Sequence, residues 1–288
     1  MKFIGTGVAV ITPFKSNGEV DKNALTNLIN HLINNGIDYL VALGTTAESA
    51  TLTNQEKTEI IDLFIEHTKG RVPLVVGAGG NNTANVVELV KELSNKNIDG
   101  LLSVCPYYNK PNQTGLYEHF KQVLSATNKD VILYNVPGRT ASNLQPETVI
   151  KLAKEFSNAV AIKEASGSIT QSMEILQHAP KDFVVLSGED ALTLPLMAIG
   201  VRGVISVIAH IYPREFSDMV RMANAGNYEG AKVNHYKVLD MTNAIFAEGN
   251  PTGVKYALHK KGLIENELRL PLVRASQGLM DRIDQLLA

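Results

Sequence analysis

Along this chain, short runs of β-branched and aliphatic residues alternate with longer stretches in which apolar residues recur at helical spacing. The short runs predict strands at Gly7–Thr12, Tyr39–Leu43, Leu74–Ala78, Gly100–Val104, Val131–Asn135, Val160–Glu164, Phe183–Ser187 and Val204–Ile208. Several are continuously apolar, as parallel strands buried on both faces must be. Between them, Leu25, Leu28, Ile29 and Leu32 share one helical face, as do Val86, Leu89, Val90 and Leu93. Helix starts are signalled by Thr53 with Glu56 and by Ser168 with Gln171, both spaced for a capping box, and by Pro146 in a first turn. Gly36, Gly70 and Gly200 mark helix ends. From the first predicted strand to the last the starts are roughly 28 residues apart, the length of one right-handed βα unit.

Repeated from Gly7 to Ile208, that unit predicts an α/β fold of the (β/α)8 TIM barrel type. An open doubly wound sheet is the competing architecture, but the early glycine cluster Gly77-Ala78-Gly79-Gly80 is not the GxGxxG of a dinucleotide site. Beyond about Ala223 the β signal stops and helical patterning continues, broken at Gly249-Asn250-Pro251 and again at Pro271. The expected organisation is a catalytic barrel over 1–224 followed by a C-terminal helical extension over 225–288.

Composition narrows the function classes. Of 288 residues, 44% are hydrophobic and 19% charged, and 27 Lys+Arg against 29 Asp+Glu leave a net charge of −2. Scattered cations on a near-neutral chain offer no field for a polyphosphate backbone, so no nucleic-acid partner is expected. No apolar run approaches the roughly 18 to 20 residues of a membrane helix, so no membrane association is expected either. The apolar segment from Phe3 to Phe14 is interrupted by Gly5, Thr6, Gly7, Thr12 and Pro13 and lacks an A-x-A-like cleavage site, so it reads as a retained strand. The single cysteine, Cys105, permits no intrachain disulfide and suits a reducing cytoplasm, the expected location. His31, His67, His119, His178, His210, His235 and His259 are dispersed with no HxH or HExxH, so no metal site is expected.

Barrel enzymes carry their chemistry at the C-terminal ends of strands, and those ends are polar here. Lys163 lies near the end of the sixth predicted strand, which finishes Ile162-Lys163-Glu164. In such water-poor surroundings a lysine either snorkels to solvent or serves as a neutral amine, a nucleophile whose Schiff base with a carbonyl acts as an electron sink. Tyr134 closes the preceding strand, either as core packing or as the phenol that moves protons during carbinolamine dehydration. Thr45 and Thr46 after Gly44 form either an ordinary turn or a set of donors for a carboxylate. Arg139 offers a bidentate carboxylate fork unless it is merely solvated. Glu189 and Asp190, where a phosphate-binding helix start would otherwise lie, are expected to cap a helix.

Six segments together resemble one family. They are Gly44–Ser49, Pro106-Tyr107-Tyr108-Asn109, Tyr134 through Thr140, Ile162-Lys163-Glu164-Ala165, Ser187-Gly188-Glu189-Asp190 and Gly203 through Val207. In order and spacing they resemble the dihydrodipicolinate synthases, pyruvate-dependent lyases related to N-acetylneuraminate lyase. The resemblance implies a Schiff base between Lys163 and pyruvate, with no metal or organic cofactor, and attack of the derived enamine on L-aspartate 4-semialdehyde. It implies proton transfer through Tyr134, Thr45 and Tyr108, the last donated by a neighbouring subunit. It also implies that Thr46 holds the pyruvate carboxylate, that Arg139 holds the semialdehyde carboxylate, and that the backbones of Gly188 and Ile205 line the pocket. The family usually forms a homotetramer, a dimer of tight dimers. Sugar-acid lyases similar at the lysine and tyrosine usually lack the arginine, leaving such a lyase, or a catalytically silent keto-acid-binding barrel, as the alternatives. Ala47 departs from the glycine of many members, adding a methyl beside the threonines. Ser49, Ala50, Asn81 and Tyr107 match the lysine-binding site of feedback-inhibited members, whereas Asn54, Lys57 and Asn85 do not. Loss of an acid and gain of a cation there predict weak or absent inhibition by lysine.

Overall fold

A computed structural model describes residues 2–288. Strands β1 (Gly5–Ala9), β2 (Tyr39–Ala42), β3 (Leu74–Gly77), β4 (Gly100–Val104), β5 (Asp130–Asn135), β6 (Ala159–Glu164), β7 (Val184–Ser187) and β8 (Gly203–Ser206) close into one barrel in chain order. The β4–β5, β5–β6 and β6–β7 ladders are parallel, and helices occupy the connections. The TIM barrel read from the periodicity is therefore the fold.

Helix starts follow local chemistry. The capping box at Thr53 is complete: its hydroxyl accepts the Glu56 N–H while the Glu56 carboxylate accepts the Thr53 N–H. Pro146 opens the helix Pro146–Glu155, and Asp21, Asn82 and Asn112 cap others with their side chains. At Ser168 half of the expected box is present. The hydroxyl accepts the Gln171 N–H at 3.2 Å, but the Gln171 side chain turns away to a buried partner. Nor does Glu189 cap a helix through its side chain. There, Thr193 and Ser187 bond to the Glu189 carbonyl and to each other, satisfying the turn without the carboxylate.

Strand ends differ from the pattern by one to three residues for identifiable reasons. β1 stops at Ala9 because the Ile11 N–H donates to His210 Nε2 at 3.2 Å and the Thr12 hydroxyl to the Ala47 carbonyl at 2.8 Å. β2 stops at Ala42 because Leu43 has φ 54, which no strand accommodates. β8 stops at Ser206, whose hydroxyl accepts the Ala209 N–H and starts a tight turn through His210.

By its contacts the chain divides into two compact units, Val75–Ile205 with the N-terminal residues to Ile4, and Gly5–Leu74 with Ser206–Ala288. The second contains the C-terminal helices Tyr228–Phe246, Thr252–Lys260 and Gln277–Leu287. Among the described residues, no helix is long and apolar enough to cross a membrane.

Candidate active site

In the first unit, the β5–β6 register pairs Tyr134 with Lys163 and Asn135 with Glu164, and β7 places Leu186 on the other side of Lys163. Alternation along a strand then sends Tyr134 and Lys163 to one face and Asn135 and Glu164 to the other. Lys163 is 6% exposed, and its Nζ lies 4.4 Å from the centre of the Tyr134 ring. The Nζ therefore sits over the face of the Tyr134 ring. A buried amine beside a phenol has what imine formation requires: a nucleophile, and a hydroxyl that can accept and return a proton.

Gly188 follows β7 and explains its own lack of a side chain. A Cβ there would lie 2.5 Å from the Ala165 Cβ and 3.1 Å from the Lys163 Cε, so only glycine leaves the lysine its place. The Gly188 N–H donates to the Glu164 carbonyl at 2.8 Å, fixing this close approach. Next to it, burial and the charge of Asp190 push the Glu189 carboxyl above its usual range, while the charges of Lys163 and Arg139 pull it back. Ile205 on β8 is buried. Arg139 is exposed on the single helical turn Pro137–Thr140, whose end is set by Ala141 at φ 54.

After β4, Tyr107 and Tyr108 are 42% and 88% exposed, and Tyr108 takes φ 75, a conformation uncommon for a bulky residue. Asn81 is exposed too, and its carbonyl accepts from Asn109 Nδ2 at 3.1 Å.

In the second unit, Thr45 and Thr46 lie in the tight turn Thr45–Ala47, bracketed by Leu43 at φ 54 and Glu48 at φ 52. Thr45 is exposed, whereas Thr46 is buried and its hydroxyl accepts from Asn250 Nδ2 at 2.8 Å. Ala47 is buried with its carbonyl bound by Thr12, so its extra methyl is accommodated within the turn. Below the turn, Glu48 pairs with Lys255 at 2.5 Å, both side chains fully buried, and accepts the Arg269 N–H at 3.0 Å. Burial holds the Lys255 ammonium down to about 8 despite that partner. Ser49 is half-buried and Ala50 exposed.

The pattern along the sequence misses two groups of residues. Glu48, Lys255 and Arg269 are far apart in the chain and carry no local signal. Asn135, Asn143 and Gln171 form a second group around Glu164, whose position two-residue alternation could have placed on the face opposite Lys163. His210, the histidine nearest a strand end, is structural: Nδ1–H donates to the Val207 carbonyl at 2.8 Å and Nε2 accepts from Ile11. Among the described residues no cluster of three or more His, Cys, Asp or Glu could hold a metal ion.

The sequence model of the Dihydrodipicolinate synthetase family matches residues 2–288. The chain belongs to this family. A 4-hydroxy-tetrahydrodipicolinate synthase of Flavobacterium psychrophilum is 52% identical over 282 residues, covering 98% of this chain and 96% of the relative. The crystal structure of dihydrodipicolinate synthase from Thermotoga maritima, 40% identical, superposes with a TM-score of 0.97 over 100% of this chain and 98% of its own. A structure described as a monomeric dihydrodipicolinate synthase variant, also 40% identical, gives a TM-score of 0.97 over 99% of this chain and 96% of its own. Both solved structures therefore share this barrel.

Proposed function

We propose that the chain condenses pyruvate with L-aspartate 4-semialdehyde to 4-hydroxy-tetrahydrodipicolinate, the first committed step of diaminopimelate and lysine biosynthesis. Membership of the family supports the reaction, and the observation that carries the chemistry is the buried Lys163 amine 4.4 Å from the Tyr134 ring. The Lys163 Nζ attacks the keto carbon of pyruvate, and the carbinolamine loses water to an imine. Loss of a methyl proton gives an enamine whose carbon attacks the semialdehyde's aldehyde. The amino group of that substrate then adds to the imine carbon, closing the ring and expelling Lys163, so one water is released overall. The covalent bond to Lys163 does the work for which other lyases need a cofactor.

In this reading Tyr134, Thr45 and Tyr108 move protons, Thr46 holds the pyruvate carboxylate and Arg139 that of the semialdehyde, and the Gly188 and Ile205 backbones line the pyruvate site. The exposed Tyr108 side chain supports its donation to a neighbouring copy. The assembly in this reading is a cytoplasmic homotetramer, a dimer of tight dimers. Sedimentation as a monomer at assay concentration would refute that assembly. Ser49, Ala50, Asn81 and Tyr107 mark the corresponding lysine site, with weak or absent feedback because Asn54, Lys57 and Asn85 break its pattern. Strong inhibition by sub-millimolar lysine, within the usual range of metabolite affinities, would overturn that last point.

Borohydride reduction in the presence of pyruvate tests the core of the proposal. A covalent adduct should form on Lys163 and disappear in Lys163→Ala, while Arg139→Ala should keep the adduct and lose use of the semialdehyde. Absence of an adduct leaves a silent binding barrel. Turnover of N-acetylmannosamine in place of the semialdehyde makes the chain a sugar-acid lyase.

A further inference from the structure

The loop 136–144, which carries Arg139, leaves β5 at Asn135 and returns to the side chain of that same residue. Asn135 Oδ1 accepts the Leu144 N–H at 2.9 Å. Its Nδ2 donates to Asn143 Oδ1 at 2.7 Å and to the two Glu164 carboxylate oxygens at 3.3 and 3.1 Å. Gln171, on the helix after β6, closes a second ring: Nε2 donates to Glu164 Oε2 at 2.9 Å and to Asn143 Oδ1 at 3.2 Å, and Oε1 accepts from Asn143 Nδ2 at 3.0 Å. The Ser166 N–H completes the carboxylate's set of donors at 2.7 Å. Glu164 is thus a 3% exposed carboxylate held by neutral donors, an arrangement costly to bury and replaceable, for packing alone, by an apolar contact.

What the arrangement fixes is the loop. Its returning end, Asn143-Leu144, is tied to Asn135 at the point where the loop leaves β5, and the middle is set by the Thr140 hydroxyl donating to the Ser142 carbonyl at 2.8 Å. The clasp lies on the face of β5 and β6 opposite Tyr134 and Lys163, out of reach of the reacting atoms but continuous in backbone with them.

We propose that Asn135, Asn143, Glu164 and Gln171 are positioning residues that hold the Arg139 loop in its binding conformation and thereby set the affinity for a carboxylate-bearing aldehyde as second substrate. The proposal rests on the reading of Arg139 given above. A loop released from the clasp spends only a fraction of its time in the competent state, and affinity falls by that fraction. Pyruvate capture at Lys163 does not pass through the loop and is spared.

Asn143→Ala opens the clasp at its half-buried member and is made in the native and the Arg139→Ala backgrounds. With about one or two hydrogen bonds' worth of loop order lost, the semialdehyde KM should rise roughly tenfold while kcat and borohydride-trapped pyruvate adduct change less than about twofold. In the Arg139→Ala background the same substitution should add nothing, because both act through one contact. Gln171→Leu, cutting from the helix side, should show the same split. An equal rise in both backgrounds overturns the proposal, as does a parallel fall of kcat and adduct yield at unchanged KM, the signature of a merely structural role. If Arg139→Ala alone leaves KM unchanged, the reading of Arg139 has failed and the proposal with it. If Arg139→Ala raises KM and Asn143→Ala does not, only the clasp has failed.

Discussion

Gly188→Ala places one methyl group against the reacting lysine, and its effect follows from three distances. The new Cβ would lie 2.5 Å from the Ala165 Cβ, 3.1 Å from the Lys163 Cε and 3.2 Å from the Ala165 Cα. Carbon atoms rest about 3.5 to 4.0 Å apart, so the first contact overlaps by about 1 Å and the second by about 0.5 Å. The segment cannot easily back away: the Gly188 N–H is bonded to the Glu164 carbonyl, and the Ser187 hydroxyl bonds both the carbonyl and the N–H of Glu189. Relief must therefore come from Ala165 and from the flexible lysine, whose Nζ swings off the Tyr134 ring. Overpacking of this kind costs about 1 to 3 kcal/mol of stability, and a displacement near 1 Å costs about a hundredfold in rate. The expected outcome is a folded protein in which borohydride trapping of pyruvate slows by about ten- to a hundredfold, with partial recovery in Gly188→Ala/Ala165→Gly as the worst overlap is removed. Time-resolved trapping followed by mass measurement reads this directly. Wild-type trapping rates in Gly188→Ala would refute the claim that glycine is there to make room for Lys163.

Two further outcomes are expected from buried charge. Burial holds His119 and His210 down to about 4, against roughly 6.5 in the unfolded chain, so between these values the unfolded state binds protons that the folded state does not. Their stabilisation is complete above pH ~6.5 and is lost as pH falls towards ~4, by up to about 3 kcal/mol each. His210→Gln should flatten the fall of Tm with acidification, and an unchanged slope would count against the assignment. Lys255→Met leaves the Glu48 carboxylate buried without its cation and should destabilise by about 3 to 5 kcal/mol in urea denaturation, with Glu48→Gln/Lys255→Met recovering much of the loss. A loss below about 1 kcal/mol, the range of exposed pairs, would contradict the buried geometry.

The periodicity of apolar runs was enough to read the barrel, because parallel strands buried on both faces and helices buried on one leave different repeats in the sequence. Lys163 and Tyr134 were legible as strand-end residues, and the register puts them side by side as that reading required. Strand ends were less legible. Val10, Ile11 and Thr12 are as apolar and β-branched as any strand, yet Ile11 and Thr12 bond to His210 and Ala47 from distant parts of the chain. Gln171 had the spacing of a capping partner, but a buried carboxylate competes for its amide more strongly than an exposed helix start does.

By itself, then, the sequence determined the repeat, the helix faces and the residue types at the strand ends, all properties set by neighbours a few positions away. Tertiary structure decided that Gly188 makes room for a lysine, that Glu164 is ringed by amides and that Glu48 meets Lys255. Each depends on groups far apart in the chain coming within a few ångströms, where burial magnifies charge and van der Waals overlap forbids a single added methyl.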